Sequence, residues 1–302
     1  MISCNYCKCK EYNLIADYTR VEKNNVLQCK KCGLVYLEMN KSKKEIESFY
    51  SLEYRKLSTK LLLTAEELFH HKLTQDDAKD RVKFILKHTD IRDKRVLEIG
   101  SASGNLLDEL GVHAKEVIGI ELNSEFAEYN QRFKVFTQPL EDLDLGKFDV
   151  IVSFHTLEHI YDPSLTMEAI FKALKPNGYF LGEVPNQNDW RIKLFNDEMV
   201  KLFHYDPNHY YYYSPETLQN YLNTSGFEDV SLETVERYNS FEQLKNILCR
   251  SPKRSVKETL NKYLFPDNEN RLPSETESGF NKLFGRGINS ELMGNCLRWA
   301  AH

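Results

Sequence analysis

The stretch Arg95-Val96-Leu97-Glu98-Ile99-Gly100-Ser101-Ala102-Ser103-Gly104-Asn105-Leu106-Leu107 decides how this chain folds. It reads as a short apolar strand, a turn of small residues and the opening of a helix. Such a turn lets a ligand lie against backbone where larger side chains would block it. The first N–H groups of the helix then face that ligand. A second apolar strand, Val117-Ile118-Gly119-Ile120, follows and ends in Glu121. An acid at the tip of the second strand is where α/β nucleotide-binding units hold ribose hydroxyls. Turn and acid together imply a nucleoside cofactor.

Spacing says which one. A dinucleotide fingerprint needs G-x-G-x-x-G, and counting from Gly100 puts Ala102 and Asn105 where glycines should stand. The pattern present is E-x-G-x-x-x-G, with Glu98 in the strand end. Here the chain resembles the class I S-adenosylmethionine-dependent methyltransferases, whose first motif is acid-x-G-x-G-x-G. It departs from them at Ala102, which is small enough for close approach but strained if that position needs positive φ.

Outward from this motif, strands and helices alternate. Strands are expected at 95–100, 117–121, 133–137, 148–154, 179–185, 227–236 and 291–300. Helices are expected at 76–88, 104–111, 124–132, 163–175 and 215–224. Asp162-Pro163 and Ser214-Pro215 read as helix starts with proline in the first turn, and Asn177-Gly178 and Ser225-Gly226 as helix stops. The alternation predicts an α/β, doubly wound, mostly parallel Rossmann-like sheet with the cofactor across its strand carboxyl ends.

Cys4-x-x-Cys7 and Cys29-x-x-Cys32 form two knuckles with Gly33 directly after the second. Four thiolates on two tight turns make a tetrahedral zinc site with no open position, so the metal is structural. It lets a short ribbon fold that could not bury a core alone. Cys9 is an alternative ligand, disfavoured by its spacing. The ribbon is expected to pack beside the catalytic domain, shape one wall of the cleft and keep a core of its own.

The domain reading is therefore a zinc ribbon over 1–40 and a helical linker covering the cleft over 41–75. A cofactor-binding domain follows over 76–239, then a helical insert and a last strand completing the sheet over 240–302. Residues 240–285 read as a lid or an interface piece without a legible function.

With 302 residues, 41% hydrophobic and 12% aromatic, the chain can bury a sizeable core. A net charge of −5 argues against a protein built around nucleic acid. No apolar run is long enough to span a membrane. The start of the chain lacks the apolar stretch of a secretory signal, and the unpaired cysteines suit a reducing cytosol. A cytoplasmic location is expected.

Ser153-Phe154-His155-Thr156-Leu157-Glu158-His159, Glu183-Val184-Pro185-Asn186 and His209-Tyr210-Tyr211-Tyr212-Tyr213-Ser214-Pro215 narrow the resemblance further, together with the ribbon. Over roughly residues 1–235 the chain is similar to methyltransferases carrying an N-terminal zinc ribbon, among them sugar C-methyltransferases acting on nucleotide-linked keto-deoxysugars. The resemblance places Gly100 and Gly104, with Glu98 and Ser101 beside them, against the amino-acid part of S-adenosylmethionine. It places Glu121 and Leu122 at the ribose, Gln138 and Leu140 at the adenine, and Phe154 and His155 at the methionine side. His159 and His209 match active-site histidines, His209 as general base and His159 orienting the acceptor or serving as alternate base. Tyr54, Asn186 and Tyr211 are expected to face the acceptor. The sugar C-methyltransferases carry a Glu before the second histidine, where this chain has Asn208. That loss favours oxygen over carbon methylation.

A neutral histidine within reach of a hydroxyl can take its proton, whereas the activated sulfonium asks mainly for alignment. The acceptor expected is a nucleotide-linked sugar or a related polysaccharide or natural-product intermediate, and an oligomer is compatible with the sequence. The competing readings are an RNA-directed methyltransferase with the ribbon as reader, and a non-catalytic cofactor-binding scaffold.

Overall fold

The computed structural model describes residues 3–20, 22–39, 42, 44–46, 64–195, 204–237, 292 and 294–302. Two sheets organise them. The larger has seven strands: β4 (Arg95–Ile99), β5 (Glu116–Ile120), β6 (Lys134–Phe136), β7 (Phe148–Phe154), β8 (Leu174–Pro185), β10 (Val230–Val235) and β11 (Cys296–Ala301), in the order β10-β11-β8-β7-β4-β5-β6. The pairs β4·β5, β4·β7, β5·β6 and β7·β8 are parallel. Strand β11 enters antiparallel between β8 and β10, so the sheet is mixed.

From β4 the chain steps outward to β5 and β6, then returns to β7 on the other side of β4. That reversal opens a crevice at the carboxyl ends of β4 and β7, where an open α/β sheet takes its ligand.

Helices cover both faces because the strands alternate. Helix α1 (Ala65–His70) precedes α2 (Lys72–His88); Val96, Val117, Val150, Val152 and Phe154 point toward α2 and α3 (Asn105–Gly111), where Ala78, Val82, Ile85, Leu106, Leu107 and Leu110 complete one core. Leu97, Ile99, Ile118, Ile120 and Ile151 point the other way, as a period of two requires. They meet α5 (Pro163–Ala173) and α7 (Pro215–Thr224); α4 (Ser124–Tyr129) precedes α5 and α6 (Trp190–Phe195) precedes α7 in the chain.

Local signals explain where these helices begin. Asp162 caps α5 through the N–H groups of Ser164 and Leu165, and Ser214 closes a capping box with Thr217 at the start of α7. Helix α2 starts at Lys72, earlier than its apolar spacing suggested. Helix α5 stops at Ala173, and Asn177-Gly178 lies inside β8 with Asn177 at φ 60°. Its role as a helix stop is thus corrected: β8 takes up the chain directly after Ala173.

The smaller sheet joins β1 (Tyr12–Ala16), β2 (Val26–Cys29), β3 (Val35–Leu37) and β9 (Tyr211–Tyr212), all antiparallel. Strand β9 comes from the aromatic run of the larger domain, so the two units are stitched together. Cys4, Leu27, Cys29, Leu34 and Tyr36 share one hydrophobic cluster with Leu97, Ile99, Phe148, Tyr211 and Tyr213. The expectation of separate cores is overturned. Tyr210 to Tyr213 are all buried, because ribbon and catalytic layers clasp them from opposite sides.

Candidate active site

The turn after β4 is held by its backbone. The N–H groups of Gly100 and Ser101 both donate to the Ile120 carbonyl, at 2.8 and 3.0 Å. Gly100 and Gly104 have φ of 83° and 84°. A Cβ on Gly100 would lie 2.1 Å from Thr156 Oγ1, and one on Gly104 1.7 Å from Asn130 Oδ1. Neither position tolerates a side chain. Ala102 does adopt positive φ, at 46°, and pays for that strain with two anchors. Its N–H donates to Glu121 Oε2 at 2.8 Å, and its carbonyl accepts from Asn130 Nδ2 at 2.8 Å.

Glu121 therefore stands at the tip of β5 as the sequence required. It is nearly buried, and its other oxygen accepts the Asn123 N–H at 2.9 Å.

Beside it, Glu98 is buried, and its Oε2 has no hydrogen-bond partner. Burial pushes its carboxyl up to about 8, with Arg81 opposing and Glu121 adding to the rise. Arg81, from α2, lays its guanidinium over the Phe154 ring at 5.0 Å, and its Nε is buried without a hydrogen-bond partner. Sequence reasoning passed over Arg81. The signal was present, since Arg81 occupies a slot three after Ala78 and four before Ile85 in an otherwise apolar stripe.

After β7, His155 takes φ 52° and sits between two fully buried carboxylates. Its Nδ1 lies 3.2 Å from Glu158 Oε1 and its Nε2 2.8 Å from Glu183 Oε1. Burial opposes a charge there, but the Cys296, Glu158 and Glu183 contacts outweigh it and hold His155 well above the usual histidine range. Glu183 in turn receives Arg237 and the Nε of Arg298 at 2.7 Å, and those arginines reach Asp77 and Asp80 of α2. This network ties β8, β11 and α2 together behind the crevice.

His159 and His209 meet. Their ring centroids are 4.7 Å apart and their planes cross at 75°. His159 Nδ1 is 2.8 Å from the Asn208 carbonyl, so the neutral ring carries its proton on Nδ1 and a lone pair on Nε2. His209 has a buried Nδ1 without a hydrogen-bond partner. Burial, then the facing His159, keep His209 well below the ordinary histidine range, Glu158 opposing. It is neutral and able to accept a proton.

The remaining candidate residues divide. Leu140 is buried in the one-turn helix Leu140–Asp142, Gln138 is exposed, Leu122 is half-buried, and Ser101 is buried with its Oγ unpartnered. Asn186 is fully buried; it donates to the carbonyls of Leu292 and Gly294 and accepts from Asn188 N–H, which braces the loop before β11. The Tyr211 hydroxyl is held by Asn5 at 2.6 Å and Tyr161 O at 3.0 Å inside the core. Tyr54 lies outside the described residues, as does the stretch 240–285.

The four ribbon cysteines converge. Cys4 Sγ is 3.6 Å from Cys32 Sγ, Cys7 Sγ is 3.4 Å from Cys29 Sγ, and all four sulfurs lie within 4.8 Å of one another. A tetrahedral zinc with Zn–S of about 2.3 Å sets sulfurs about 3.8 Å apart, so the donors fit. Positive φ at Lys8 and Gly33, each directly after a knuckle, turns the chain back. Cys9 instead exchanges contacts with the Glu11 backbone.

Comparison with known proteins agrees with this geometry. The sequence model of a family described as "Methyltransferase domain" matches residues 69–232, more than half of the chain. A ubiquinone biosynthesis O-methyltransferase of Idiomarina loihiensis is 28% identical over 134 residues, covering 40% of this chain and 55% of that protein. One from Paraburkholderia phymatum is 30% identical over 119 residues, covering 36% and 51%. The chain thus spans about half the length of these curated relatives. Among solved structures, a chain of the Haloferax volcanii complex containing the Trm112 methyltransferase activator is 13% identical with a TM-score of 0.50. That alignment covers 85% of this chain and 96% of that one, a likeness of fold. Among the described residues no helix is long and apolar enough to cross a membrane. With the strand order, the glycine turn and the acid after β5 all in place, the chain belongs to the family of proteins built on this methyltransferase domain.

Proposed function

We propose that this protein is an S-adenosylmethionine-dependent methyltransferase that methylates a hydroxyl of a small molecule, with a structural zinc in its ribbon. The observation that carries the reading is the meeting of His159 and a neutral His209 beside a crevice in which Glu98 Oε2 and Arg81 Nε are buried without hydrogen-bond partners. Glu98, with its free buried oxygen, suits the ammonium of an amino acid, and Arg81 suits the carboxylate. Glu121 suits the ribose hydroxyls. When bound, the cofactor supplies an activated methyl group. The protein's own task is to orient the acceptor, exclude water and hold the departing proton at a histidine nitrogen.

Oxygen methylation is supported by the neutral base and by the relatives' names. The resemblance in sequence favours a nucleotide-linked sugar as acceptor, whereas those relatives are named for ubiquinone biosynthesis. A panel of nucleotide sugars and soluble phenols, assayed for transfer of labelled methyl, separates the two. The acidic balance of the chain speaks against an RNA acceptor.

Calorimetric titration with S-adenosylhomocysteine tests the cofactor reading. Glu121→Ala should weaken binding by about 1.5–3 kcal/mol, the worth of hydrogen bonds to a charged group. Arg81→Met should weaken S-adenosylhomocysteine similarly yet leave 5′-methylthioadenosine, which has no carboxylate, near its wild-type affinity. A wild-type protein that binds neither ligand would overturn the cofactor reading.

A further inference from the structure

The mechanism above uses His159 and His209 and leaves Glu158 without a task, although this carboxyl occupies the centre of the cluster. It is fully buried in the one-turn helix Leu157–His159. Its Oε1 lies 3.2 Å from His155 Nδ1 and 3.9 Å from His159 Nε2. Its Oε2 is buried with no hydrogen-bond partner. Its backbone carbonyl accepts the Tyr210 N–H at 2.7 Å, which fixes it against the segment carrying His209. Side-chain ligand atoms of Glu158, His159 and His209 all lie within 4.8 Å of one another.

Resting on the methyl-transfer reading, we propose that Glu158 is a positioning residue, the counter-ion that stabilises the imidazolium formed when the His159–His209 pair takes the acceptor's proton. The hydroxyl proton passes to a ring nitrogen of the pair, the oxygen's electron pair makes the new O–CH3 bond, and the S–CH3 bonding pair leaves with sulfur.

An imidazolium in a buried site needs a compensating charge close by. Besides His159, the titratable groups facing His209 are His155 from the end of β7, Glu158 from the turn that carries His159, His204 from the segment before His209, and Tyr212 of β9, its ring centroid 6.1 Å away. Tyr213, from beside β9, faces Glu158 itself. Glu158 is the anion among them. Glu183 is committed to His155, Arg237 and Arg298. Burial opposes the charge on Glu158, but the His155 hydrogen bond and the nearby His159, His155 and His209 prevail, holding it at about 2. It is an anion throughout the working pH range. The 3.9 Å gap to His159 Nε2 is too long for a hydrogen bond in the resting state. A proton arriving on that nitrogen gives Glu158 a donor to close upon.

The test needs no acceptor. Protein labelled with 13C at histidine Cε1 is titrated by NMR between pH 4 and 9, with S-adenosylhomocysteine affinity measured alongside. In Glu158→Gln the protonation midpoint of the His159–His209 pair should fall by about 1–3 units, the effect of losing an opposite charge at this range. Glu158→Asp should recover most of the wild-type midpoint, and cofactor affinity should stay within about threefold. An unmoved midpoint in Glu158→Gln, or a loss of cofactor affinity matching the loss of fold, overturns the proposal. A wild-type protein that titrates as expected but binds no S-adenosylhomocysteine would overturn the methyl-transfer reading instead.

Discussion

His209→Asn is expected to lower turnover at least about a hundredfold, with affinity for S-adenosylhomocysteine staying within about threefold of wild type. The expectation follows from chemistry and position together. A hydroxyl is a poor nucleophile until its proton leaves, and a positioned base is worth about 10²–10⁴ in rate. Asparagine keeps the size and hydrogen-bonding character of the side chain but cannot take up a proton at working pH. The ring of His209 packs edge to face on His159, and its Nδ1 awaits a donor. The residues that would meet the cofactor lie on β4, β5 and α2, so the substitution leaves them in place.

The pH dependence has a definite sign. The base works deprotonated, and burial followed by the facing His159 holds its pKa below the ordinary histidine value. The rate is therefore flat through neutrality and falls only once the pH drops below the usual histidine midpoint of about 6.5. A steady-state pH profile with the acceptor returned by the panel checks both points. If His209→Asn keeps near-full turnover, alignment by the pocket is the better account. An acid limb placed above pH 7 would instead mean that a different group titrates.

Much of this was legible in the chain because local rules and tertiary need agree here. The strand–turn–helix at Gly100 could be read because a glycine turn, an apolar strand and the following acid each constrain the backbone in the same way. The cysteine knuckles were legible for a similar reason, since four thiolates at that spacing have one natural use. Arg81, Glu158 and Glu183 were not singled out. Their meaning depends on burial, which a sequence does not show: a charged residue on a helix or in a turn usually belongs to solvent. Asn186 and Tyr211 show the converse. Both stand where a ligand could sit, yet their polar atoms are engaged inside the fold. Most hidden of all was the union of ribbon and sheet. The pairing of β3 with β9 joins residues far apart in sequence, and no local period announces such a register.

That union changes what loss of the metal should do. Cys29→Ser is expected to abolish zinc binding, lower the melting temperature by at least about 10 °C, and remove turnover. A serine hydroxyl does not replace a thiolate ligand, and structural zinc contributes about 10–16 kcal/mol of apparent binding energy in small modules. Even a fraction of that is decisive at about 2–4 °C per kcal/mol. The damage cannot stay in the ribbon. Cys29 ends β2, β2 pairs with β3, and β3 pairs with Tyr211 and Tyr212 directly after His209. Leu37 N–H donates to the Tyr210 carbonyl, and Asn5 next to Cys4 grips both Tyr211 and the carbonyl of Tyr161. Both histidine-bearing segments are thus held from the ribbon side. The crevice at Gly100 and Glu121 is framed by β4, β5 and α3, so turnover should fail before affinity for S-adenosylhomocysteine does. Elemental analysis, calorimetric melting and the labelled-methyl assay read the three effects. Cys9→Ser serves as control and should leave one zinc per chain, because its sulfur faces the Glu11 backbone and not the cluster. A zinc-free Cys29→Ser protein that melts and turns over like wild type would show that ribbon and active site are independent after all.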